Sequence, residues 1–158
     1  MRKLAIAYGN SCYAKKWSND TITFDALCKR LENTHRTTET VQEYPKLPKQ
    51  DRDRLKDIGG FVGGFLKDGR RKRENVEYRS MLTHDTDHAD ADFVSRYEMS
   101  CIYASCIYTT HGHTTKAPRL RIITPLTRDV TPDEYVALSR LVAAEWGIDY
   151  FERCSYSP

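Results

Sequence analysis

The sequence predicts a single α/β domain, and three observations carry that prediction. Four short runs rich in β-forming residues, Leu4–Tyr8, Met81–Asp87, Ile102–Thr110 and Pro118–Pro125, read as strands. Two segments with N-cap residues and helically spaced apolar positions, one after Thr23 and one after Thr131, read as helices. The chain of 158 residues, 39% hydrophobic and 30% charged, suits one soluble domain with a buried core.

Taken in order, Leu4–Tyr8 forms the first strand, and Lys15, Lys16 and Trp17 follow in a polar loop where the Trp packs rather than stacks on a base. Thr23 caps a helix whose buried stripe is Phe24, Leu27, Cys28 and Leu31. The polar, Thr-rich stretch 33–40 breaks that pattern, and Pro45 and Pro48 make 44–49 an extended or turn segment. Two Gly-Gly pairs flank Phe61 and Val62, where close backbone approach or positive φ is needed. Lys67-Asp68-Gly69 reads as a turn, so that 61–87 forms a two-stranded ribbon with Arg70, Arg71, Lys72 and Arg73 at its tip. Asp90 is expected to cap a short helix through Phe93, Val94 and Tyr97. In the strand at 118–125, Arg119 and Arg121 share one face while Leu120 and Ile122 turn to the core. Thr131, Pro132 and Glu134 open the last helix as N-cap, N1 and N3; Tyr135, Leu138, Val142 and Trp146 form its buried stripe, and Gly147 ends it.

Charge is unevenly spread. Residues 1–80 hold 18 Lys/Arg against 11 Asp/Glu, and residues 81–158 hold 7 against 11. The chain thus has a basic N-terminal lobe and an acidic remainder, as suits an enzyme that holds a polyanion with one part and a cation with the other. No apolar run approaches the roughly 18 residues of a membrane span, and the first residues lack the long apolar stretch of a signal peptide. Five cysteines, odd in number and irregular in spacing, indicate reduced thiols in a cytoplasm.

Three points carry the chemistry. Asp85 and Asp87 alternate onto one face of their strand about 7 Å apart, where two carboxylates repel unless a cation or proton lies between them. Oxygen ligands of this kind suit Mg²⁺ or Mn²⁺; the bland alternative is an acidic surface loop. Asp90 and Asp92 read as cap and surface. An EF-hand is excluded because Ala89 and Asp90 fall where that loop needs an oxygen ligand and a glycine. The second point is His111 with His113; the third is Arg119 with Arg121. A late acid, Asp149 or Glu152, follows the last helix. Paired acids, a third acid, a histidine and two arginines are the groups that metal-dependent phosphoryl or nucleotidyl transfer uses. The 70–73 run suits a phosphate backbone, or else is a solvated loop.

These residues resemble the primase-polymerase domain of the archaeo-eukaryotic primase superfamily. The closest likeness is to the version at the N-terminus of phage and mobile-element replication proteins related to virulence-associated protein E. The resemblance runs through Thr38-Glu39-Thr40, Glu43-Tyr44, Lys56–Gly64, Gly69–Lys72, Arg79-Ser80, Asp85-x-Asp87, Tyr108–His111, Pro118–Arg121 and Glu134-Tyr135. The family's first motif, two acids alternating with apolar residues, falls on His84–Asp87. Its second, a small hydroxyl residue two before a histidine, falls on Thr109 and His111, and its third falls on Phe151-Glu152. His84 and Thr86 depart from the apolar residues usual in the first motif. Glu152 stands where Asp is usual, with Asp149 as the fallback.

The resemblance implies an RRM-like or palm-like sheet with helices on one face and an N-terminal αβ lobe, residues 1–80, ahead of the catalytic motifs in 81–158. It implies a DNA-dependent primase-polymerase in which Asp85, Asp87 and Glu152 hold two Mg²⁺ or Mn²⁺ ions. Thr109, His111, Arg119 and Arg121 would face the nucleoside triphosphate, and Arg70, Arg71, Lys72 and Arg73 a single-stranded DNA template. The setting it implies is the cytoplasm of a bacterial host, with the chain continuing past Pro158 into further polymerase sequence and a helicase. Two other readings are a rolling-circle nicking endonuclease, using His111 and His113 for metal and Tyr135 as nucleophile, and a non-catalytic DNA-binding initiator module.

Overall fold

Gly63 is where the chain passes from one sheet to another. In a computed structural model describing residues 2–158, strands β1 (Lys3–Gly9), β2 (Ser18–Thr23) and β3 (Gly60–Val62) form an antiparallel sheet in the order β2-β1-β3. After Gly63, β4 (Gly64–Leu66), β5 (Val76–Thr86), β6 (Cys106–Thr109) and β7 (Leu120–Val130) build a second antiparallel sheet, ordered β4-β5-β7-β6. A glycine is required at the crossing: a Cβ on Gly63 would lie 2.2 Å from Met81 Cγ, and one on Gly64 2.2 Å from the Tyr78 carbonyl oxygen. The change of sheet therefore comes earlier in the chain than the change of charge at residue 80.

The α/β expectation holds, with two antiparallel sheets and the helices α1 (Phe24–Leu31), α2 (Lys49–Leu55), α3 (Phe93–Ser100) and α4 (Pro132–Trp146) among the described residues. Both long caps are as read. Thr23 accepts from the Ala26 amide, and Thr131 with Glu134 completes a capping box. Side chains alternating along β5 and β7 give the second sheet two covered faces. Leu120 and Ile122 pack with Phe93, Tyr97, Ala143 and Phe151, and Leu82 packs with Tyr135 and Val142, all beneath α3 and α4. Met81 and Ile123 point the other way, onto Leu4, Ile6 and Leu27 of β1 and α1. Trp17 packs as expected: it is 3% exposed, and Gly9 lies flat against its ring.

The ribbon expected over 61–87 exists in shortened form, because only β4 pairs with β5, from Gly64↔Arg79 to Leu66↔Val76. Other expectations shift. The strand read over 102–110 is confined to Cys106–Thr109, and Ile102 is 86% exposed in the preceding loop. Asp90 is not the helix cap: α3 starts after Asp92, while Asp90 accepts from Arg96 and Tyr150. Pro45 lies in a 3-10 turn at Tyr44–Lys46, and the very polar α2 that follows buries none of its residues, so no apolar period announces it.

Candidate active site

β5 runs from Val76 to Thr86, and its far end sets the site. There β5 and β7 pair in the register Asp85↔Arg121, and Tyr108 of β6 pairs with Arg121 on the other side. Strand alternation sends Asp85, Arg121 and Tyr108 to one face, and His84, Thr86 and Ile122 to the other. The two departures from the apolar pattern, His84 and Thr86, are nonetheless fully buried. His84 Nε2 meets the Ser139 carbonyl at 2.9 Å and the Ser139 hydroxyl at 3.0 Å. Burial pushes the His84 pKa down, against the opposing pull of the Ser139 carbonyl.

On the first of these faces, half-exposed at the sheet's end, Asp85 is gripped at both oxygens. Arg121 donates Nε–H to Oδ1 and Nη2–H to Oδ2, the latter at 2.8 Å. Burial works against the Arg121 charge, but Asp85 and Tyr108 outweigh it and raise its pKa. Asp87, one residue past the strand, receives Arg119 Nη1 at 2.8 Å. The Arg119 amide in turn donates to His113 Nδ1 at 3.2 Å, and the Thr110 amide to the Arg119 carbonyl at 2.9 Å. The His111-Gly112-His113 turn is thereby tied to the arginines, with Gly112 at φ +87°. His111 Nε2 lies 3.2 Å from Glu39, and its ring meets Tyr44 edge-on at 4.2 Å. Glu39 is a residue to which the sequence assigns no role; it sits in the Thr-rich stretch, where no periodicity announces its contact with His111.

The late acid arrives by backbone pairing. Phe151 bridges to Thr86, and the Glu152 amide donates to the Asp85 carbonyl at 2.9 Å. Glu152, rather than Asp149, therefore stands beside the first acid, although its carboxylate turns to His88 Nε2 at 3.0 Å. The structure thus gathers Asp85, Asp87, Glu152, His111, Arg119 and Arg121 around one end of one sheet, while Thr109, paired with Leu120, faces the other side of that sheet.

The donor set has the hard oxygens that Mg²⁺ or Mn²⁺ takes. Its arrangement does not fit an ion, since Asp85, Asp87 and Glu152 are each turned to a base. Among the described residues, no group of three acidic, histidine or cysteine side chains converges.

Arg70, Arg71, Lys72 and Arg73 are all exposed between β4 and β5. They lie at the opposite end of β5 from Asp85, about 30 Å along the strand. Arg71 stands over the Trp17 ring at 5.2 Å, and Lys72 pairs with Glu74 at 3.6 Å. A groove of about 570 Å³ lies between α3 and the free edge of β6, lined by Tyr97, Tyr103, Ile107 and His113, and does not include the acids.

Tyr135 corrects the nickase reading. It is 0% exposed, its hydroxyl donates to the Ser155 carbonyl at 3.0 Å, and the Arg79 guanidinium lies 4.1 Å over its ring. A buried phenol committed to the core cannot attack DNA.

The fold and its site define a mixed α/β domain with an acid–arginine–histidine cluster at the end of its main sheet. A family model, the VapE N-terminal domain, matches residues 1–158, and the chain belongs to that family. No curated protein and no solved structure matches it. Among the described residues, no helix is long and apolar enough to cross a membrane.

Proposed function

We propose that this domain carries out template-directed nucleotidyl transfer, building a primer on single-stranded DNA from nucleoside triphosphates. The observation that carries the reading is the meeting of Asp85–Arg121, Asp87–Arg119 and His111 at one end of the second sheet. Membership of the VapE N-terminal domain family supports a setting in phage or mobile-element replication, within the cytoplasm of a bacterial host and with a helicase as the working partner.

In this reading the planar forks of Arg119 and Arg121 take triphosphate oxygens, and His111 adds a donor beside them. A 3′-hydroxyl attacks the α-phosphorus, the new P–O bond forms and pyrophosphate leaves. The exposed run at 70–73 follows the template backbone. Mg²⁺ or Mn²⁺ is the expected cofactor, and the reading requires that the arginines leave Asp85 and Asp87 before an ion is held there.

The full pairing of the acids favours one alternative, a DNA-binding initiator module without catalysis. Titration with a fluorescent, non-hydrolysable nucleoside triphosphate in Mn²⁺ separates the two. Nucleotidyl transfer requires saturable binding that weakens roughly tenfold in Arg121→Ala and in His111→Ala. A DNA-binding module shows no saturable binding in either wild type or variants.

A further inference from the structure

Glu39 reaches across the molecule to the candidate site and has no comparable task elsewhere. It belongs to the strap 37–44, which the fold lays over the His111-Gly112-His113 turn. Its Oε1 accepts from the Thr37 hydroxyl at 2.5 Å and faces His111 Nε2 at 3.2 Å. The side chain is only 10% exposed, and Oε2 is sealed from solvent with no hydrogen-bond donor. The neighbouring Glu43 closes the local turn by accepting from the amide and hydroxyl of Thr40, so Glu39 is not needed for that purpose. The Thr37 hydroxyl, then its own backbone amide and His111, hold the Glu39 carboxyl below its usual range against the effect of burial. A largely enclosed carboxylate with one unpartnered oxygen is unfavourable unless something is gained from it.

Tyr44 holds the other side of the histidine. Its ring edge packs on His111 at 4.2 Å, and its Cε1 would lie 3.6 Å from a Cβ at Gly112, as would Arg119 Cδ. The His111 ring is thus fixed by a carboxylate and an aromatic wall, both supplied by the strap. A carboxylate takes a ring N–H, and the nitrogen so engaged determines which one remains for a ligand.

We propose that Glu39 is a positioning residue: it takes His111 Nε2–H and so aims Nδ1 at the nucleoside triphosphate, where Nδ1, protonated as the nucleotide binds, donates to a phosphate oxygen. The inference rests on the nucleotide-binding reading above.

Long-range ¹H–¹⁵N spectra of the imidazoles, recorded on the full chain without nucleotide, test the contact. Wild type and Glu39→Gln, which keeps an acceptor, show His111 with its proton on Nε2; Glu39→Ala loses that single form. Binding of a non-hydrolysable nucleoside triphosphate then weakens roughly tenfold in Glu39→Ala, and much less in Glu39→Gln. The double variant Glu39→Ala/His111→Ala binds no worse than His111→Ala alone. An unchanged ring spectrum in Glu39→Ala, or losses that add in the double variant, overturns the proposal. Wild-type binding by His111→Ala instead overturns the nucleotide reading, and with it the phosphate role of Nδ1, while the ring spectrum still decides whether Glu39 holds the histidine.

Discussion

Asp85 on β5 and Arg121 on β7 stand opposite each other in the sheet register and join through both carboxylate oxygens. Asp87 and Arg119 repeat the pairing two residues on. The acids expected to bind a cation and the arginines expected to bind phosphate therefore neutralise each other. Cation and triphosphate must bind together if each is to displace the other's competitor.

That mutual competition has a measurable consequence. Mn²⁺ binding, followed by electron paramagnetic resonance, is expected to be weak for the protein alone and to tighten roughly 5- to 100-fold when a non-hydrolysable nucleoside triphosphate is present. Arg121→Ala tightens it without nucleotide, and Asp85→Asn abolishes it. Identical Mn²⁺ affinity with and without nucleotide would show that the arginines are not competitors.

His84 predicts a pH dependence of folding. Its pKa is lowered in the folded state from 6.5 by burial, so below pH 6.5 the unfolded chain takes up a proton that the native chain does not. Stability is then full above pH 6.5 and falls as pH drops below it, with a slope of up to about 1.4 kcal/mol per pH unit from this group. Urea melts of wild type and His84→Gln between pH 7.5 and 5 check this. The variant should have the shallower dependence, and parallel curves would rule the histidine out as the cause.

Tyr135→Phe removes the bond to the Ser155 carbonyl and the contact with Arg79. It should destabilise the fold by about 0.5–1.5 kcal/mol, the Ser155 carbonyl keeping the Ser139 hydroxyl as its remaining donor. DNA incubated with either protein should show no covalent adduct; an adduct that disappears in Tyr135→Phe would restore the nickase reading.

The basic run is testable by salt alone. Single-stranded DNA affinity should fall with a log–log slope of about −0.7 per contacted phosphate, and neutralising Arg71 and Arg73 together should flatten that slope by about one unit or more. Mn²⁺ binding at the far end of β5 should be unaltered. An unchanged slope would leave 70–73 as a solvated tip and move the template path toward Arg119 and Arg121.

What could be read beforehand followed from local rules. The caps at Thr23 and Thr131, the core-facing side of Leu120 and Ile122 and the turn at Gly69 each depend on residues close in sequence. The sheet change at Gly63 does not, because a glycine pair looks the same whether it bends one sheet or joins two. α2 was hidden by its lack of a buried face, and β2, exposed at its first four residues and half-buried at its last two, by its lack of alternation. The acids, arginines and histidine were visible by type and spacing. Their pairing with one another was not, since strand register joins residues 36 positions apart at Asp85–Arg121, and a loop side chain reaches 72 positions from Glu39 to His111.

Labelled-nucleotide incorporation on a single-stranded template in Mn²⁺ measures most directly whether the end of the second sheet performs nucleotidyl transfer. New strands are predicted for the wild-type protein, with loss in Asp85→Ala and a roughly tenfold or greater drop in His111→Ala. No product from the wild type, together with undiminished binding to single-stranded DNA, would contradict nucleotidyl transfer and establish the domain as a DNA-binding module.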